Sequence, residues 1–169
     1  FGAERALVRT QFVSGTHALA TVLFGILRPD DRLVSITGTP YDTMQTVIGW
    51  AHESCGSLKE FGVSYDELSM HEGRVDLDGI ARIVTSETKV ALVQRSRGYS
   101  ERQPLSIADI RAVSARIKAA NPNCIVFVDN CYGEFVETEE PTAIADVDIM
   151  AGSLIKNPGG GLAPTGGYI

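Results

Sequence analysis

Gly152-Ser153-Leu154-Ile155-Lys156-Asn157-Pro158-Gly159-Gly160-Gly161 follows an apolar run over residues 147–151 that reads as a buried strand. A lysine just past such a strand, with a serine three residues before it and glycines after it, suits a reactive amine beside a bound phosphate. Upstream, Cys124-Ile125-Val126-Phe127-Val128-Asp129 is a second buried strand, and it ends on an acid. The runs at residues 33–37 and 90–94 are likewise short, apolar and continuous, as strands covered on both faces are. Helical patterns lie between them. Ala18, Leu19, Val22, Leu23, Ile26 and Leu27 repeat at three and four residues, and Pro29 helps to stop that helix. Ile110, Val113 and Ile117 make a second stripe, opened by a capping box of Ser106 and Asp109. A third helix follows Asp76, through Ile80 to Val84. Strands alternating with helices specify an α/β fold, a three-layer sandwich with a mainly parallel sheet. Ligands bind such sheets beyond the carboxyl ends of the strands, where Asp129 and Lys156 both fall.

The 169 residues are enough for one domain with a core. A formal net charge of -6 without a basic block excludes nucleic acid as the main partner. No apolar stretch is long enough to span a bilayer, and no signal peptide is visible. Cys55, Cys124 and Cys131, an odd count without framework spacing, fit reduced thiols and a cytoplasmic location. No C-x-x-C pair occurs, and His17, His52 and His71 show no ligand spacing, so no metal site is expected. Residues 137–141 read as an acidic surface loop. Residues 1–8 read as the interior of a helix and residues 166–169 as the start of a strand. Both ends therefore read as cut from a larger protein.

Five stretches carry candidate chemistry. Ser14-Gly15-Thr16-His17 precedes the first helix, whose free N–H groups and partial positive charge bind phosphate. The plain reading is an N-cap by Ser14 or Thr16. Tyr41, in Thr39-Pro40-Tyr41-Asp42-Thr43, can stack on a heteroaromatic ring and act as an acid or base, while Asp42 can cap the next helix. Asp129, in Asp129-Asn130-Cys131-Tyr132-Gly133-Glu134, can keep a ring nitrogen protonated or simply cap a loop. Lys156, with Ser153, can be a nucleophilic amine or a surface residue. Arg97, in Gln94-Arg95-Ser96-Arg97-Gly98-Tyr99, can clamp a carboxylate or lie exposed. A Schiff-base lysine with an aspartate for a pyridinium nitrogen is the protein's share of pyridoxal 5'-phosphate (PLP) chemistry. Competing motifs fail: the lysine segment lacks P-loop spacing, and neither G-x-G-x-x-G nor G-x-S-x-G is present.

Taken in this order, S-G-T before a helix, a stacking tyrosine, D-N beyond a strand and S-x-x-K resemble the fold-type I PLP enzymes. Residues 13–18, 94–99, 128–137 and 152–169 resemble the methionine gamma-lyase family, also labelled aluminium-resistance or cystathionine beta-lyase-like proteins. The resemblance covers essentially all of residues 1–169, as the central part of the PLP-binding large domain. It implies that an N-terminal segment and a C-terminal small domain are missing. It implies that Lys156 carries the Schiff base and moves protons, and that Asp129 pairs with the pyridinium nitrogen. Gly15, Thr16 and Ser153 would hold the phosphate. Tyr41 would stack on the ring and protonate a leaving sulfur. The implied activity is cleavage of a C–S bond in a sulfur amino acid by a homodimer or homotetramer. An aminotransferase or aldolase on the same scaffold, or a non-enzymatic relative acting in metal stress, shares these features. The family's better-studied C–S lyases have glycines after the stacking tyrosine, where this chain has Asp42 and Thr43.

Overall fold

The computed structural model describes residues 1–50 and 55–169; His52 lies outside them. In chain order the elements are β1 (Val8–Arg9), α1 (Gly15–Ile26), β2 (Arg32–Ser35), α2 (Asp42–Ile48), β3 (Ser64–Glu67) and α3 (Leu77–Ile83). Then follow β4 (Thr88–Gln94), α4 (Ile107–Ala120), β5 (Ile125–Asp129), β6 (Ile149–Ser153) and β7 (Gly167–Tyr168). The sheet order is β1-β7-β6-β5-β4-β2-β3. The five strands from β6 to β3 are parallel, and β7 and β1 are antiparallel additions at one edge.

The continuous apolar strands are explained by two cores. Leu33, Val90, Leu92, Phe127 and Ala151 face α1 and α2, packing with Leu19, Leu23, Met44 and Ile48. Val34, Ala91, Val93, Val126, Val128 and Met150 face α3 and α4, packing with Ile80, Ile110, Val113 and Ile117. Alternate residues of each strand thus enter opposite cores, which makes the three-layer sandwich. The Ser106–Asp109 capping box opens α4 as the sequence indicates. Among the described residues no helix is long and apolar enough to cross a membrane.

The chain leaves β2 outward to β3 and returns past it to β4, then continues to β5 and β6. The strand order therefore reverses between β2 and β4, and the crevice at their carboxyl ends is the natural ligand position of such a sheet. Tyr41 follows β2 and Gln94 ends β4. The Tyr41 backbone N–H donates to Gln94 Oε1 at 2.8 Å, joining the two sides.

Several readings change. Residues 1–8 do not form a helix: Gly2 sits at φ 72°, and Leu7 exchanges both backbone hydrogen bonds with Ile169. Those N–H and C=O groups serve the sheet instead. The strand before Lys156 runs through Ser153, so the serine lies inside it, buried to 1% exposure. Asp42 does not cap α2. Tyr41 occupies that position without a side-chain bond, and Asp42 Oδ1 accepts from the adjacent Thr43 N–H. The polar edge strand β3 gave no apolar signal. The loop at residues 137–141 is not wholly superficial, because Glu140 is 7% exposed and ion-paired to buried Arg95.

Candidate active site

β5 and β6 are neighbours in parallel register, with Asp129 opposite Ala151. Asp129 thus ends one strand while Ser153 and Lys156 leave the next. Asp129 is 6% exposed, and its Oδ1 accepts from the Cys131 N–H at 3.1 Å. Burial raises its pKa, opposed by that hydrogen bond and by the Lys156 charge. A buried carboxylate whose ionisation burial disfavours is suited to a cationic partner, as a protonated ring nitrogen would be.

Ser14 caps α1 by accepting from the His17 N–H at 3.1 Å. The plain capping reading holds, and the helix start also lies against β6. A Cβ at Gly15 would sit 3.0 Å from the Ser153 Cβ and 3.2 Å from the Cys131 Sγ. A side chain there would crowd both neighbours, and glycine's lack of one lets the start of α1 lie close beside Ser153. The Thr16 hydroxyl, half-buried, shares a 2.8 Å hydrogen bond with Thr43 at the start of α2. Gly15 thus brings the start of α1 against Ser153, and a helix start with free N–H groups is where a phosphate binds.

Tyr41 lies at the switch point. Its ring is 5.3 Å from that of Tyr99, and the two hydroxyls are 3.1 Å apart. The hydrogen bond with Tyr99, chiefly, raises the Tyr41 pKa to about 12. Tyr41 therefore remains a proton donor at neutral pH. Arg97 is exposed, on the same loop as Tyr99.

Lys156 is half-buried, and its Nζ donates to Tyr132 Oη at 2.6 Å. The same Nζ lies 4.3 Å from the Tyr132 ring centroid. The neighbouring Asn157 side chain donates to the carbonyls of Tyr132 at 3.1 Å and Glu134 at 2.8 Å. These contacts fix the loop after β5 to the loop after β6. Tyr132 and Asn157 carry no motif of their own. Their parts depend on contacts between segments far apart in the chain.

Beneath the site lies a polar network built on Arg95, the arginine in its stretch that the structure buries. Its side chain is 3% exposed and ion-pairs with Glu137 at 2.8 Å and Glu140 at 3.3 Å. Nη1 also donates to Asn130 Oδ1 at 2.9 Å and to the Gly133 carbonyl at 2.8 Å. The Arg95 backbone N–H donates to the Asp129 carbonyl at 3.0 Å. Gly133 is required because a Cβ there would strike the Arg95 side chain. Asn130 also reaches Tyr168, whose hydroxyl donates to buried Glu134 at 2.7 Å. Burial raises the Glu134 pKa as well. Among the described residues, no group of three or more His, Cys, Asp or Glu is placed to hold a metal ion.

The cradle at Gly15, the buried carboxylate at Asp129 and the amine at Lys156 fit the phosphate, ring nitrogen and aldehyde of PLP. Comparison with known proteins gives the family and the fold. The family model described as methionine gamma-lyase matches residues 1–169. The chain is 51% identical over 171 residues to YnbB of Bacillus subtilis (strain 168), covering 100% of this chain and 40% of that protein. A Listeria monocytogenes structure, provisionally named a cystathionine beta-lyase involved in aluminium resistance, shares 54% identity at a TM-score of 0.95. The match covers 99% of this chain and 42% of that one. The chain thus spans about two fifths of these relatives' length. The PLP-dependent protein YhfS of Escherichia coli is 18% identical at a TM-score of 0.69, over 99% of this chain and 40% of that one. It bears on the fold alone, which is that of the fold-type I PLP enzymes. The chain belongs to the methionine gamma-lyase family.

Proposed function

We propose that this chain carries the cofactor site of a PLP-dependent carbon–sulfur lyase acting on sulfur amino acids. The observation that carries this reading is the pairing of Asp129 and Lys156 beyond neighbouring parallel strands, beside the Gly15–Ser153 cradle. Bound PLP supplies an electron sink that stabilises a substrate carbanion. The protein's residues would divide the remaining work. Gly15, Thr16 and Ser153 would hold the phosphate, and Asp129 would hold a proton on the ring nitrogen. Tyr41 would cover the ring face. Lys156 would tether the cofactor and move protons at the substrate's carbon atoms. Tyr41, protonated at neutral pH, would be the candidate proton donor to a departing thiolate. Exposed Arg97 would meet the substrate carboxylate. The same proposal has the complete enzyme working in the cytoplasm as a homodimer or homotetramer, in keeping with free Cys55, Cys124 and Cys131.

The test is to incubate the full-length protein and PLP with methionine or cystathionine and to assay products. Thiol, ammonia and a 2-oxo acid in equal amounts are expected. Amino-group exchange with an added 2-oxo acid, without thiol, would assign the chain to a transaminase instead.

A further inference from the structure

The reading of Lys156 as the cofactor-bearing residue leaves open what aims its amine. We infer that Tyr132 is a further catalytic residue, seating the Lys156 amine for attack on the cofactor aldehyde. The inference rests on the proposed function. Its observations are the 2.6 Å bond from Lys156 Nζ to Tyr132 Oη and the ring centroid 4.3 Å from the same nitrogen. The lysine's four-carbon stem is otherwise flexible, and a seat for its end converts a search into a short approach.

Tyr132 is not placed by core packing. It is 57% exposed and adopts φ 65°, a left-handed conformation that aromatic residues rarely take. Asn157, next to the lysine, holds the Tyr132 carbonyl. The segment bearing the amine therefore also fixes the loop bearing its seat. Strained backbone of this kind clusters where a site needs one geometry.

In the assisted step the neutral amine nitrogen bonds to the aldehyde carbon. Its two hydrogens leave with the carbonyl oxygen as water, and no electrons are exchanged with another species. Tyr132 accepts one N–H while the nitrogen lone pair remains available.

The experiment follows PLP capture by the full-length protein freed of cofactor, with the rate measured against PLP concentration. Borohydride fixation and mass spectrometry then locate the adduct. Tyr132→Phe keeps the ring and removes only the hydroxyl. We expect its saturating capture rate to fall about 10-fold, with the half-saturating PLP concentration unchanged. A loosened loop would weaken PLP binding and shift the half-saturating concentration, which would overturn the assignment. So would an unchanged rate in Tyr132→Phe. If wild-type protein captures no PLP on Lys156, the proposed function fails and this inference with it. Wild-type capture with an unaffected variant defeats this inference alone.

Discussion

Asp129 is an acid in a place that disfavours its charge. Because burial raises its folded pKa, the folded state binds the proton more tightly than the unfolded chain does. The resulting destabilisation is absent below the unfolded value, about 3.9, and grows as pH rises through the folded one. Asp129→Asn retains an acceptor for the Cys131 N–H and removes the charge. Without PLP, thermal denaturation at pH 8 should show it with a higher Tm than wild type. The difference should close near pH 4, close to the ordinary carboxylate value of about 3.9. The same substitution should abolish tight PLP binding. A second residue-scale prediction concerns Tyr41. If the Tyr99 hydroxyl is the main cause of its raised pKa, Tyr99→Phe should return the Tyr41 midpoint from about 12 toward the ordinary 10, seen as phenolate absorbance. An unmoved midpoint would mean that another neighbour controls it.

Among the elements, α1 and β6 meet through an absent side chain. Gly15→Ala would press a methyl group against Ser153 and Cys131, and overpacking of that kind costs about 1–3 kcal/mol. Because the strain falls at the proposed phosphate cradle, PLP affinity should drop about 10-fold or more in a fluorescence titration. The loop after β5 depends instead on Arg95. Arg95→Ala would leave Glu140 buried without its cation, a loss of about 3–5 kcal/mol. Tm should fall by about 10 °C or more in calorimetry. These elements differ in how far the sequence disclosed them. Strands β2, β4, β5 and β6 were legible because both faces are apolar, and α4 because its stripe and its capping box agree. Strand β3, Ser-Tyr-Asp-Glu, was not, since a polar edge strand carries no such pattern. Residues 1–8 misread as a helix because their hydrogen bonding is decided by β7, at the far end of the chain.

At the scale of the molecule, the site is assembled by sheet order. Gly15, Tyr41, Asp129 and Lys156 are scattered in sequence, and the parallel strands bring their loops to one edge. The sequence named these residues because each carries a recognisable local role at a strand or helix end. Tyr132, Asn157 and the weight borne by Arg95 escaped it, because each acts through contacts with distant segments. The central claim is that this edge binds PLP covalently through Lys156. Its most direct test is the visible absorption spectrum of the full-length protein with PLP, before and after borohydride, beside a Lys156→Ala variant. The account predicts a visible band that borohydride removes, leaving pyridoxyl mass on the Lys156 peptide, with neither seen in the variant. No band in the wild type, or an adduct that persists in the variant, would contradict it.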